Sequence, residues 1–112
     1  MKATVGKVVI MINEMNFSFI TPEAWESIIH LAVSCKQTWR EDALLYEVIY
    51  PNGYGASIIK VAHGSYGWQD DLWELAVLKD DELCYDTYIT DDVLGYLTDG
   101  QVVACCMDIA EL

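Results

Sequence analysis

Apolar and polar positions alternate with a period of two over much of this chain, and helical signals interrupt the alternation at three places. Residues 4–12 are β-branched and apolar. Residues 17–20 resume extended character after the polar Asn13-Glu14-Met15-Asn16, so the two stretches predict a first hairpin. Thr21-Pro22-Glu23 then sets a capping hydroxyl, a proline at the first helical position and an acid in the first turn. Trp25, Ile28, Ile29 and Ala32 follow at helical spacing, and the helix should fade near Cys35.

Residues 44–50 predict a strand, Pro51-Asn52-Gly53-Tyr54-Gly55 a hairpin turn, and residues 57–62 its return. A loop rich in glycine and aromatics spans residues 63–71. Residues 72–79 read as a strand with Trp73, Leu75 and Val77 on one side, and Asp80-Asp81 turns it back into residues 82–85. Thr90-Asp91-Asp92 predicts the cap of a short helix holding Val93, Leu94, Tyr96 and Leu97. Thr98-Asp99-Gly100-Gln101 is a capping box that opens a last helix, with Val102, Cys105, Cys106 and Ile109 as its apolar stripe. The expected architecture is α+β, a single compact domain over residues 1–112. It has a mostly antiparallel sheet of five or six strands, one helix after the first hairpin and two C-terminal helices.

Composition agrees with that size of core. With 112 residues, 54 % of them hydrophobic, the chain can fold without disulfides or metals. The longest aliphatic run, residues 8–12, is too short for a signal-peptide core or a bilayer span, so the chain reads as cytoplasmic, with no membrane partner. Cys35, Cys84, Cys105 and Cys106 show no Cys-x-x-Cys spacing, so reduced thiols are expected and neither a metal nor a cofactor is implied.

Charge changes the picture more. Residues 1–69 hold six acids against five bases, whereas residues 70–112 hold twelve acids against Lys79 alone, within a total of -12. Asp91, Asp92 and Asp99 are placed to favour helix N-termini, and Asp80 and Asp81 are ordinary turn residues. The near absence of lysine and arginine is not explained that way, because a solvated face normally mixes both signs. Such a half is simply soluble, or it meets a basic partner. Direct binding of nucleic acid is not expected, because the six bases are scattered and form no basic patch.

From Asn52 to Leu97 the chain resembles an uncharacterised family of small proteins encoded by phages and prophages. The likeness rests on Asn52-Gly53-Tyr54-Gly55-Ala56-Ser57, Gly64-Ser65-Tyr66-Gly67 and Leu72-Trp73-Glu74-Leu75-Ala76-Val77-Leu78-Lys79. It continues in Leu83-Cys84-Tyr85-Asp86-Thr87 and Ile89-Thr90-Asp91-Asp92-Val93-Leu94-Gly95-Tyr96-Leu97. Where related chains carry glycine in the turn or proline after Asp-Thr, this chain has Asp81 and Tyr88. The resemblance implies a mobile element expressed inside a bacterium and brings no catalytic residues.

Residues and resemblance together point to a protein that binds a basic host protein, one that handles nucleic acid, and blocks that access as a DNA mimic. An anti-CRISPR or other anti-defence inhibitor is the concrete version. The surface expected to carry this comprises Asp70, Asp71, Asp80, Asp81, Glu82 and Asp86, with Tyr66 and Trp68 as aromatic anchors. The alternative is an accessory or structural phage protein that forms a homo-oligomer through a sheet edge or the Trp68 loop. A small enzyme ranks third, because His63, Ser65, Cys84 and Asp86 match no nucleophile–base arrangement.

Overall fold

The computed structural model describes residues 16–112 and, before them, the backbone of two strands, β1 (Lys2–Val5) and β2 (Val8–Met11). These two pair antiparallel, Lys2 opposite Met11 and Val5 opposite Val8. The first hairpin is therefore built from them and not from residues 4–12 with residues 17–20. Of the turn expected at residues 13–16, only Asn16 falls among the described residues. Residues 17–20 are extended but join no strand, and the reason is local. Phe17 and Ile20 are buried in the core. The backbone N–H groups of Ser18 and Ile20 donate to side chains, the Asp71 carboxylate at 2.9 Å and the Tyr46 hydroxyl at 3.2 Å. Backbone donors satisfied this way need no strand partner.

Helix α1 (Pro22–Ile29) starts as its sequence requires, with the Thr21 hydroxyl accepting from Ala24 N–H at 3.2 Å. It stops at Ile29, short of Cys35, because Val33 N–H bonds to Ile49 C=O and the chain enters strand β3 (Ser34–Arg40). All seven residues of β3 are exposed. No buried face gives this strand an alternating pattern, so it escapes a reading based on periodicity.

Strands β4 (Ala43–Ile49), β5 (Tyr54–Val61), β6 (Trp73–Lys79) and the short β7 (Glu82–Leu83) extend the sheet in the order β3-β4-β5-β6-β7, every pair antiparallel. Strand β8 (Leu94–Leu97) lies beside the first half of β6, and β7 beside its end. The segment expected to be a second helix is thus a strand. Tyr96 has φ 58°, a left-handed value that a right-handed helix cannot contain. Gly95 lies so close to Tyr66 that a Cβ there would sit 2.4 Å from the Tyr66 Cβ. The Thr90 hydroxyl accepts from Asp92 N–H in a local turn and caps nothing.

One C-terminal helix follows, α2 (Asp99–Ala110), opened by the expected capping box: Thr98 Oγ1 accepts from Gln101 N–H and Gln101 Oε1 from Thr98 N–H. Val102, Cys106 and Ile109 are buried, on the stripe read from the sequence, while Cys105 is half-buried. The core lies between the helices and one face of the sheet. Leu44, Tyr46, Val48, Ala56, Ile58, Trp73, Leu75 and Val77 supply the sheet side, and Ile28 and the α2 stripe the helix side. Among the described residues no helix is long and apolar enough to cross a membrane.

The turn between β6 and β7 places Asp80 at φ 50° and Asp81 at φ 69°. Two consecutive left-handed residues are the signature of a type I′ hairpin turn, which favours asparagine followed by glycine. Asp81→Gly is expected to raise stability by about 0.5 kcal/mol, relief of left-handed strain less the added freedom of the unfolded chain. Chemical denaturation measures this, and a loss of stability would show that the turn is not strained there.

Candidate functional site

Strand β6 is the axis on which the acidic and aromatic candidates are distributed. The connection from β5 brings Tyr66, Trp68, Asp70 and Asp71 to its first residue, Trp73, while Asp80, Asp81 and Glu82 follow its last residue, Lys79. A seven-residue strand is roughly 20 Å long, so the eight candidates form two groups at opposite ends of the sheet.

At the first end, Asp71 turns inward. Lys60 lies on β5 in phase with Ala56 and Ile58 and is 1 % exposed. Its ammonium donates to Asp71 Oδ1 and to Ser18 C=O, each at 2.8 Å, and sits 4.0 Å from the centre of the Trp73 ring. Asp71 holds φ 57° and also accepts from Ser18 N–H. Burial pushes its carboxyl up, but the Lys60 ammonium and the Ser18 hydrogen bonds outweigh burial and hold it below the ordinary carboxylate range. Asp71 is therefore an internal counter-ion. A second carboxylate does similar work nearby: Asp99 accepts from Thr21 N–H at 2.9 Å and from Trp73 Nε1–H at 2.8 Å.

Around this pair, residues 63–70 fold against β8. Tyr66 N–H donates to Glu74 at 3.0 Å, Leu72 N–H to Gly67 C=O at 3.0 Å, and Tyr96 N–H to Tyr66 C=O at 3.3 Å. Gly67, at φ 100°, admits the close backbone of Tyr96; a Cβ there would lie 2.9 Å from the Tyr96 Cα. His63 packs against Trp68 with the rings tilted by 54° and their centres 4.4 Å apart. Tyr66 and Asp70 are exposed and Trp68 is half-buried. Tyr96, which helical reading hid, shares their recess.

At the far end, Asp80, Asp81, Glu82 and Asp86 are all exposed. Among the described residues none of them forms an ion pair. Asp86 accepts from the Cys84 thiol at 2.9 Å. Lys79, the lone base of this half, directs its ammonium to the Tyr54 hydroxyl at 3.1 Å and lies over that ring. Asp80 and Asp81 also border a groove of about 480 Å³ that reaches Lys36 and Glu47 across the sheet.

No catalytic constellation assembles from the four side chains considered for one. His63 and Ser65 lie beyond the start of β6, and Cys84 and Asp86 beyond its end. The Ser65 hydroxyl is committed to the Val61 backbone. Burial pushes the Cys106 thiol up to about 12, which leaves it protonated and inert at neutral pH. Among the described residues no three His, Cys, Asp or Glu side chains are grouped to hold a metal ion. No protein-family model, curated protein or solved structure matches the chain.

Removing one member of a buried pair strands the other charge, whereas removing both is often neutral. Asp71→Asn should cost about 2–3 kcal/mol, toward the low end because its side chain stays 40 % exposed, and Lys60→Met with Asp71→Asn should recover most of that loss. A carboxyl held low when folded adds stability above its unfolded value of about 4 and loses it as pH falls through the folded value. The wild type should therefore show an acid-limb loss of stability that the double variant lacks. Parallel acid limbs in denaturant titrations would overturn the assignment.

Proposed function

We propose that the protein binds a basic partner protein through the carboxylates at the β6–β7 end of the sheet and thereby occludes that partner's nucleic-acid surface. The observation that supports this most is the state of Asp80, Asp81, Glu82 and Asp86. They are exposed and adjacent, and among the described residues none of them forms an ion pair; Lys79, opposite Glu82, turns its ammonium to the Tyr54 hydroxyl instead. Unneutralised carboxylates held close together repel, and a compact fold gains nothing from keeping them so. A partner whose lysines and arginines normally meet phosphates would neutralise them and be blocked by them. In this reading the protein is an anti-CRISPR or other anti-defence inhibitor carried by a phage or mobile element and acts in the bacterial cytoplasm. Asp70, Tyr66 and Trp68 would form a second contact at the other end of β6.

One feature favours a second reading, self-association through a sheet edge. Among the described strands β3 pairs with β4 alone, at the edge of the sheet, and its seven residues, Trp39 included, are exposed; an edge strand of this kind is a template for pairing with another chain.

The two readings separate in solution. Under the first, the protein is monomeric by light scattering and captures a basic protein from a bacterial lysate at low salt. That partner is released as salt rises and is displaced by DNA or RNA. Asp80→Asn, Asp81→Asn and Glu82→Lys together, chosen because asparagine tolerates the left-handed turn, should weaken capture by about 100-fold at low salt. Capture unchanged by these substitutions, or a stable homo-oligomer with no captured partner, would overturn the inhibitor reading.

A further inference from the structure

The geometry points to the recess between residues 63–69 and β8 as a site for the guanidinium of an arginine side chain. The inference deepens the reading above and rests on it only for the source of the arginine, a basic partner. The recess holds about 450 Å³ and is walled by His63, Tyr66, Trp68, Gln69 and Tyr96. Three aromatic residues and a histidine thus border one space, although Tyr66 and Tyr96 stand 30 positions apart in the chain.

The backbone beneath them is fixed at some expense. His63 at φ 60° and Tyr96 at φ 58° are left-handed; histidine is among the side chains that enter that region most readily, whereas the bulky Tyr96 is held there against its preference. Gly67 and Gly95 permit an approach that any side chain would obstruct. Strained residues persist where the surrounding structure over-determines them, and they gather where a site must be held ready. Yet the rings placed at this cost are not buried by it: Tyr66 remains 62 % exposed and Tyr96 54 % exposed. Large aromatics displayed on a rigid backbone contribute little to the core.

Charge selects the occupant. Among the described residues neither lysine nor arginine borders the recess; Lys60, the nearest base in sequence, is sequestered by Asp71. Asp70 is exposed one residue past the wall, and Glu74 lies behind Tyr66. A cation over aromatic faces in an acidic setting is the favoured ligand. Among side-chain cations the planar guanidinium suits it best, since it stacks on rings while its edge donates to phenol, carboxamide and carboxylate oxygens.

The test is an ¹⁵N NMR titration with the blocked peptide acetyl-Gly-Arg-Gly-amide, with its citrulline counterpart as a neutral isostere. Saturable shifts of the Trp68 indole and of the Tyr66 and Tyr96 amides are expected with arginine and not with citrulline. Tyr66→Ala and Tyr96→Asn, the latter keeping a residue that tolerates left-handed backbone, should each weaken binding by about tenfold while the spectrum stays dispersed. Equal response to citrulline, or variants that bind as the wild type does, would overturn the site. The variant carrying Asp80→Asn, Asp81→Asn and Glu82→Lys should still bind the peptide in the recess, even when partner capture is lost. Conversely, salt-sensitive capture of a partner with no peptide in the recess would sink this inference and leave the charged turn standing.

Discussion

The ammonium of Lys60 is the constraint around which the rest of the molecule is arranged. A lysine on the inward phase of a central strand cannot remain charged in a core without partners. It finds three: the Asp71 carboxylate, the Ser18 carbonyl and the face of Trp73. Each contact organises a different piece of chain. Asp71 ends the loop after β5 in a left-handed conformation, Ser18 belongs to the extended segment before α1, and Trp73 begins β6. Trp73 then passes the constraint on, donating to Asp99, which also receives Thr21 N–H. One buried charge thus ties the entry to α1, the start of α2 and the loop that carries the aromatic recess.

That arrangement also apportions the acids. Asp71 and Asp99 serve the interior, and Asp80 and Asp81 form a turn. Among these, only the turn residues are directed entirely to solvent, joined there by Glu82 and Asp86. The acidic half is therefore not one field. It includes an outward cluster at the end of β6 and an inward pair, Asp71 and Asp99, bonded near its start, while Asp70, Asp91, Asp92, Asp108 and Glu111 are exposed elsewhere. In the proposed function, steering of a basic partner would fall to the outward cluster and close-range contact to the aromatics at the other end.

Elements with local punctuation were legible in the sequence. Thr21-Pro22, Asn52-Gly53 and Thr98 to Gln101 carry their geometry in adjacent residues, and each appears where expected. Elements set by distant contacts were not. Strand β8 forms because β6 offers an open edge and Gly95 can approach Tyr66, facts that lie outside its own four residues. Strand β3 buries nothing, so its pairing with β4 leaves no trace in its polarity. The two-ended site was hidden for the same reason, since adjacency in a run of acids says nothing about the length of the strand between them. Lys60 was the one missed residue with a visible signal: it shares parity with the apolar Ala56 and Ile58.

The claim that one buried ion pair holds the recess ready is tested most directly by native-state hydrogen exchange. The amides of Ser18, Tyr66, Leu72 and Tyr96 are each bonded within or beside this loop. They are expected to exchange with the protection of the central strand β5 and to lose it together in Asp71→Asn, ahead of the sheet. Loop amides that exchange freely in the wild type while β5 remains protected would contradict the account.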